Sequence, residues 1–355
     1  MKQSTKTNLP AEPTEAEWRA LYAAAEEFIR VAPWNWMYDS DLFGVQDPES
    51  GEVGYCCVLG NAGEAFGLNV FQGGDGLMGF WAMAMVTPET IEEVGKVQRC
   101  LSFSLEDRAN LRPKDLAQIK SLGLKYRGQN AWPMFFSMVP GYLPWHLTGP
   151  EARFLTVALQ QTLDVAARFH RDPNLLPPPE GPGLGEYLVR VPAKTHDGYQ
   201  WTDALQPAPP PALGEAVEIS WESDRVAHLC KTLPRTNLVI EIDYFSTPHM
   251  PVGVKGERPY IPHVILFVAS GSGLILNVGT VSIDGLFQEC VDNLLDMIEG
   301  TGALPEAIHV RRPMLHSLLS DVGGDLGIPC LLKKRLPGFS NAYKSFSQFG
   351  RGLGL

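Results

Sequence analysis

Apolar residues recur at helical spacing through Trp18, Leu21, Tyr22, Ala25, Phe28 and Ile29, directly after Thr14 and Glu17. Thr and Glu three positions apart form a capping box, in which each side chain accepts the other residue's backbone N–H. A helix is therefore expected from Thr14. Thr148-Gly149-Pro150-Glu151 repeats the signal and opens a second amphipathic helix carrying Leu155, Leu159, Leu163 and Ala166. Between them, Val53–Leu59 and Ala65–Phe71 read as strands joined by the turn Gly60-Asn61-Ala62-Gly63. Pro88 behind Thr87 predicts a further helix start, because proline is preorganised for the first helical position. Tyr187–Val191 and Gln200–Ala204 read as two more strands.

The C-terminal half has a clearer rhythm. Leu238–Phe245 is a predicted strand. His263–Ala269 and Leu274–Val281 form a hairpin across Ser270-Gly271-Ser272-Gly273. Asp284 is expected to cap a helix with Phe287, Cys290, Val291, Leu294 and Ile298 on one face, and Gly300 to stop it. Ala307–Val310 is a short strand, Met314–Asp321 a helix and Pro329–Leu332 a buried strand. A hairpin followed by alternating helices and strands implies a mixed sheet flanked by helices.

Length and composition refine this picture. A chain of 355 residues suggests two domains. Pro177-Pro178-Pro179 and Pro209-Pro210-Pro211 cannot continue a helix or a central strand. The second run is read as a linker. The net charge of -11 argues against broad non-specific nucleic-acid binding, which needs a basic surface. Met1–Ala16 lacks the pattern of a signal peptide. The longest apolar stretch, Leu77–Val86, is too short to span a bilayer. A cytoplasmic location without membrane contact is expected. The six cysteines are scattered, with no C-x-x-C pair, and the eight histidines are equally dispersed. Neither a disulfide framework nor a metal site is expected.

The N-terminal half resembles a bacterial domain family of unknown function. The resemblance rests on Pro33-Trp34-Asn35-Trp36, Leu42-Phe43-Gly44-Val45, Gly60-Asn61-Ala62-Gly63-Glu64 and Pro140-Gly141-Tyr142-Leu143-Pro144-Trp145. Arg258-Pro259-Tyr260-Ile261-Pro262 and the segment Leu304–Pro337 make the C-terminal half resemble a second such family. The C-terminal element order is similar to the ribonuclease H-like fold, although fold does not transfer function. The expected architecture is an α+β domain over residues 14–206 and a Pro-rich linker over 207–214. An α/β domain over 215–355 follows, a three-layer mixed sheet of ribonuclease H-like topology without an intact metal site.

Several chemistries have candidate residues in the chain. Gly74, Gly76 and Gly79 spell a literal G-x-G-x-x-G with Glu106 and Asp107 further on. The dinucleotide fingerprint requires one continuous helix after a parallel strand, so the glycines are read as a turn and no cofactor is expected. A two-metal nuclease would need Asp243, a helix carboxylate and a third acid converging. Glu289 and Asp292 point away from the apolar face of their helix. Asp284 alone reaches, and Arg311-Arg312 stand where an acid is wanted. Asp243 and Asp284 are thus the candidate catalytic residues of a divergent nuclease or phosphodiesterase, the alternative reading.

The leading reading is a non-catalytic binding or accessory protein. If the fourth and fifth strands are parallel, Arg311, Arg312, Lys333, Lys334 and Arg335 emerge at one sheet edge. There they would bind a phosphorylated ligand or a nucleic-acid backbone. Trp34, Trp36, Tyr142 and Trp145 are candidate anchors for a protein partner, set against the favoured reading that large aromatics fill a core while the neighbouring prolines fix the turns around them. Ser270-Gly271-Ser272-Gly273 is no nucleophile elbow. His309 reads as a core histidine, and Cys56 and Cys57 face opposite sides of a strand.

Overall fold

Thr14 and Glu17 close the capping box that their spacing predicts, and helix α1 runs Glu15–Val31 from it. The computed structural model describes residues 11–84, 98–178, 180–210, 219–247, 250–253 and 256–352, with the backbone alone at 84 and 346–352. The chain divides into two compact units, one of residues Met1–Pro140 with Pro144–Glu215 and one of Gly141–Leu143 with Ala216–Leu355. Among the described residues no helix is long and apolar enough to cross a membrane.

In the first unit the strands are β1 (Phe43–Gln46), β2 (Val53–Leu59), β3 (Phe66–Gln72), β4 (Cys100–Glu106), β5 (Trp132–Met138), β6 (Glu186–Thr195) and β7 (Gly198–Pro207). They form one sheet in the order β5-β4-β3-β2-β1-β6-β7. Neighbours are antiparallel except β1 and β6, which run parallel. The helices are α1, α2 (Gly73–Ala84), α3 (Pro113–Ser121) and α4 (Gly149–Phe169). Phe28, Leu155 and Leu159 pack on one sheet face with Cys56, Val58 and Phe103. Leu77 of α2 covers the other face with Tyr55, Cys57 and Phe71. Cys56 and Cys57 therefore do face opposite ways, and burial pushes both thiols up.

The predicted helix at Thr87 lies outside the described residues. The glycine motif differs from its expectation. Gly74, Gly76 and Gly79 lie within α2 and not in a turn, and the preceding strand β3 is antiparallel to both neighbours. Gly73 supplies the positive φ, at 63°, that lets the chain swing from β3 into the helix. Strands β4 and β5 and helix α3 have no counterpart in the sequence reading. In β4, Leu101, Phe103 and Leu105 face the core in alternation with Ser102, Ser104 and Glu106, so the period-two signal of a strand is present there.

The second unit is built on β8 (Val239–Ser246), β9 (His263–Ala269), β10 (Ile275–Val281), β11 (Ala307–Val310) and β12 (Cys330–Leu332). The sheet order is β10-β9-β8-β11-β12. β8, β9 and β10 are antiparallel, while β11 runs parallel to both β8 and β12. Three helices, α5 (Ser223–Thr232), α6 (Leu286–Thr301) and α7 (Pro313–Leu326), cover one face through Leu229, Leu294 and Leu319 against Ile240, Ile242 and Phe267. Helix α8 (Pro337–Gly352) covers the other face through Phe339 and Ala342 against Val264, Leu266 and Val268. The result is a three-layer mixed sheet.

Three local expectations are corrected. Asp284 lies in a short 3-10 turn, and Gly285 precedes α6 without a side-chain cap. α6 runs past Gly300 and ends at Gly302, whose left-handed φ of 65° makes the C-cap. β12 is an edge strand with Leu331 and Leu332 exposed, so it is not buried.

Candidate functional site

Strand β8 reads Val-Ile-Glu-Ile-Asp-Tyr-Phe-Ser, two acids set two apart among apolar residues. That spacing puts Glu241 and Asp243 on one face of the sheet, the face covered by α8. Both are buried, Asp243 completely. Burying a carboxylate is costly unless its oxygens are paired, and here all four are.

Glu241 accepts the Ser270 hydroxyl at 2.6 Å and the Phe339 backbone N–H, in the first turn of α8, at 2.7 Å. A carboxylate at a helix N-terminus meets both unsatisfied N–H groups and the favourable end of the helix dipole. Asp243 accepts Nε–H of Arg311 on one oxygen and Nε–H of Arg312 at 2.7 Å on the other, with the Tyr244 N–H at 2.9 Å. Arg312 also donates to the Tyr244 carbonyl and lies over the Tyr244 ring, 4.3 Å from its centroid. Arg311 lies over the Phe339 ring at 5.8 Å. Their side chains remain 46% and 36% exposed. Asp243 thus fixes two guanidinium groups by their inner edges at the rim of the sheet.

The parallel pairing of β11 and β12 sets the remaining cations beside them. Val310 is in register with Leu332, and Lys333 continues the ladder by donating its N–H to Val310 at 2.8 Å. Arg311-Arg312 and Lys333-Lys334-Arg335 therefore leave the C-terminal ends of adjacent strands. Among the described residues Lys333, Lys334 and Arg335 form no salt bridge. Two arginines against one aspartate, plus three further cations, give the rim a local charge opposite to that of the whole chain.

His309 stands beside Glu241 in the ladder and is half-buried. Burial lowers its pKa first and the Lys333 ammonium second, with Glu241 opposing. Below the ordinary histidine range the unfolded chain takes up this proton before the folded one. The histidine's contribution to stability is full above about pH 6.5 and is lost as pH falls through its folded value. Replacing Lys333 by methionine is expected to raise the His309 pKa. An NMR titration of the ring would read the shift, and an unmoved value would separate the two side chains.

The other candidates lie apart from this cluster. Among the described residues Asp284 shares no hydrogen-bond partner with Asp243, and it accepts the Tyr142 hydroxyl at 2.6 Å within the second unit. The metal pair expected of Asp243 and Asp284 has its first carboxylate occupied by arginines. Among the described residues no group of three or more His, Cys, Asp or Glu is placed to hold a metal ion. Trp34 meets the rings of Phe28 and Phe66, and Trp36 donates Nε1–H to the Ala166 carbonyl at 3.0 Å, both against the first unit's core. Trp145 exchanges two backbone hydrogen bonds with Ser137 at the edge of β5. Glu241, Tyr244, Ser270 and Phe339 were not singled out from sequence. The paired acids in an apolar strand were the available signal.

No curated protein matches the chain. Residues 18–190 match the family model described as Domain of unknown function (DUF7309). Residues 225–347 match that described as Domain of unknown function (DUF6930). The chain thus carries two domains of unknown function, one in each half.

Proposed function

We propose that the chain is a non-catalytic, cytoplasmic binding protein whose second domain holds a phosphate-bearing anion on Arg311, Arg312, Lys333, Lys334 and Arg335. The observation that carries this reading is the use made of Asp243. Both its oxygens are spent on arginine, so it acts as the counterion that aims two guanidinium groups outward. Guanidinium and ammonium groups grouped at strand C-termini suit phosphate oxygens by charge and by donor geometry. The strand order β10-β9-β8-β11-β12 and its directions support a ribonuclease H-like domain. Such a domain with Asp243 and Asp284 as metal ligands is the weaker reading, because arginine already occupies the first. The free state of all six cysteines suits a reducing compartment.

The test is the triple variant Lys333→Glu/Lys334→Glu/Arg335→Glu, which touches no ion pair of the described residues. Affinity for a labelled mixed-sequence oligonucleotide at low salt is expected to fall about tenfold or more, with a shallower salt dependence. Competition by inorganic phosphate separates a phosphate site from a polymer track. Equal affinity of variant and wild type would end the proposal.

A further inference from the structure

A strand at the rim of a sheet carries unpaired N–H and C=O groups that invite another strand, and proteins normally blunt it. Among the described residues three of the four sheet edges are blunted. β5 contains Pro133, and its Ser137 is bridged by Trp145. β10 has a register shift between Ile275 and Asn277. β12 is only 3 residues long. β7 has none of these devices. It runs 10 residues without lysine, bulge or internal proline, and proline comes only at its last position. Its single charge, Asp203, is already neutralised by Arg168 and Arg190.

The ladder shows which groups point outward. Ala208 N–H donates to the Gly185 carbonyl, which places this pair at a hydrogen-bonded position of the ladder. Hydrogen-bonded pairs alternate along an antiparallel ladder, and the β6–β7 register is unbroken from Glu186–Pro207 to Thr195–Gly198. The even-numbered residues of β7 therefore bond to β6. Tyr199, Trp201, Asp203 and Leu205 direct their N–H and C=O groups away from it. Their side chains share one face, on which Tyr199 is 44% and Leu205 57% exposed.

We propose that β7 pairs antiparallel with β7 of a second copy of this chain, about a two-fold axis at Thr202. This register opposes outward-facing residues throughout, which gives about eight interchain hydrogen bonds. It sets each exposed Tyr199 against an exposed Leu205, an aromatic–aliphatic cross-strand pair. It also sets Trp201 against Asp203. Moving the axis to Asp203 would oppose the two aspartates, and moving it to Trp201 would set Leu205 against Asp197. An isologous contact of this kind closes on itself and leaves no free edge of the sheet at β7.

Sedimentation of the full chain from micromolar to near-millimolar concentration is expected to show a species of twice the chain mass. Leu205→Pro removes an outward N–H and no β6–β7 bond, and should return the protein to single-chain mass with unchanged circular dichroism. Thr202→Cys should form an interchain disulfide on mild oxidation that wild type lacks, because non-hydrogen-bonded partners lie about 4.5 Å apart at Cα. A single-chain mass for wild type at every concentration overturns the proposal. So does a dimer that survives Leu205→Pro, or a Thr202→Cys protein that forms no such crosslink.

Discussion

Replacing Arg311 and Arg312 together by alanine is expected to destabilise the second unit by about 3–5 kcal/mol, the range for a buried charge left without its partner. Asp243 is wholly buried, and after the double substitution only the Tyr244 N–H still serves it. Either single substitution should cost clearly less, because one guanidinium still faces the carboxylate. Adding Asp243→Asn to the double variant should recover much of the loss by removing the charge itself. Urea unfolding of wild type, the double arginine variant, Asp243→Asn and their combination forms a cycle in which the coupling belongs to the Asp243 cluster. If the double variant unfolds at the wild-type denaturant concentration, the arginines do not compensate Asp243, and the rim proposed for phosphate has lost its organising group.

Gly76→Ala is expected to destabilise the first unit by about 3 kcal/mol, the upper part of the range for overpacking. A Cβ at Gly76 would lie 2.7 Å from the carbonyl oxygen of Arg99 and 2.7 Å from the backbone carbon of Phe71. Both are backbone atoms, one in β3 and one just before β4, so no side chain can rotate to make room, and α2 must lift from β3. Thermal unfolding followed by near-ultraviolet circular dichroism would show the change. A wild-type melting temperature would mean that the helix approaches less closely than this. The contact also explains the middle glycine of the G-x-G-x-x-G string by packing, since β3 is antiparallel to both neighbours.

Much of the second sheet was legible before any coordinates. β8, β9, β10 and β11 fall within two residues of their predicted ends, because each is an apolar run bounded by turn residues or by a helix with one apolar face. Helix α8 was missed. Its apolar contacts come from few residues, chiefly Phe339 and Ala342, amid polar and glycine neighbours. The glycine motif was misread as a turn for a related reason. Glycine weakens a helix in isolation, and only the close approach of α2 to the sheet rewards it.

The sequence by itself determined the two-part organisation, the capped helices α1 and α4, most strands of the second sheet and the positive ends of β11 and β12. These follow from periodicity, caps and local composition, all of which act over a few residues. Tertiary structure alone decided that Asp243 accepts from two arginines. It also decided that Glu241 binds the first turn of α8. Each of these joins groups far apart in sequence, across strands whose register no local pattern specifies. A buried charge takes its character from the partner that register delivers to it.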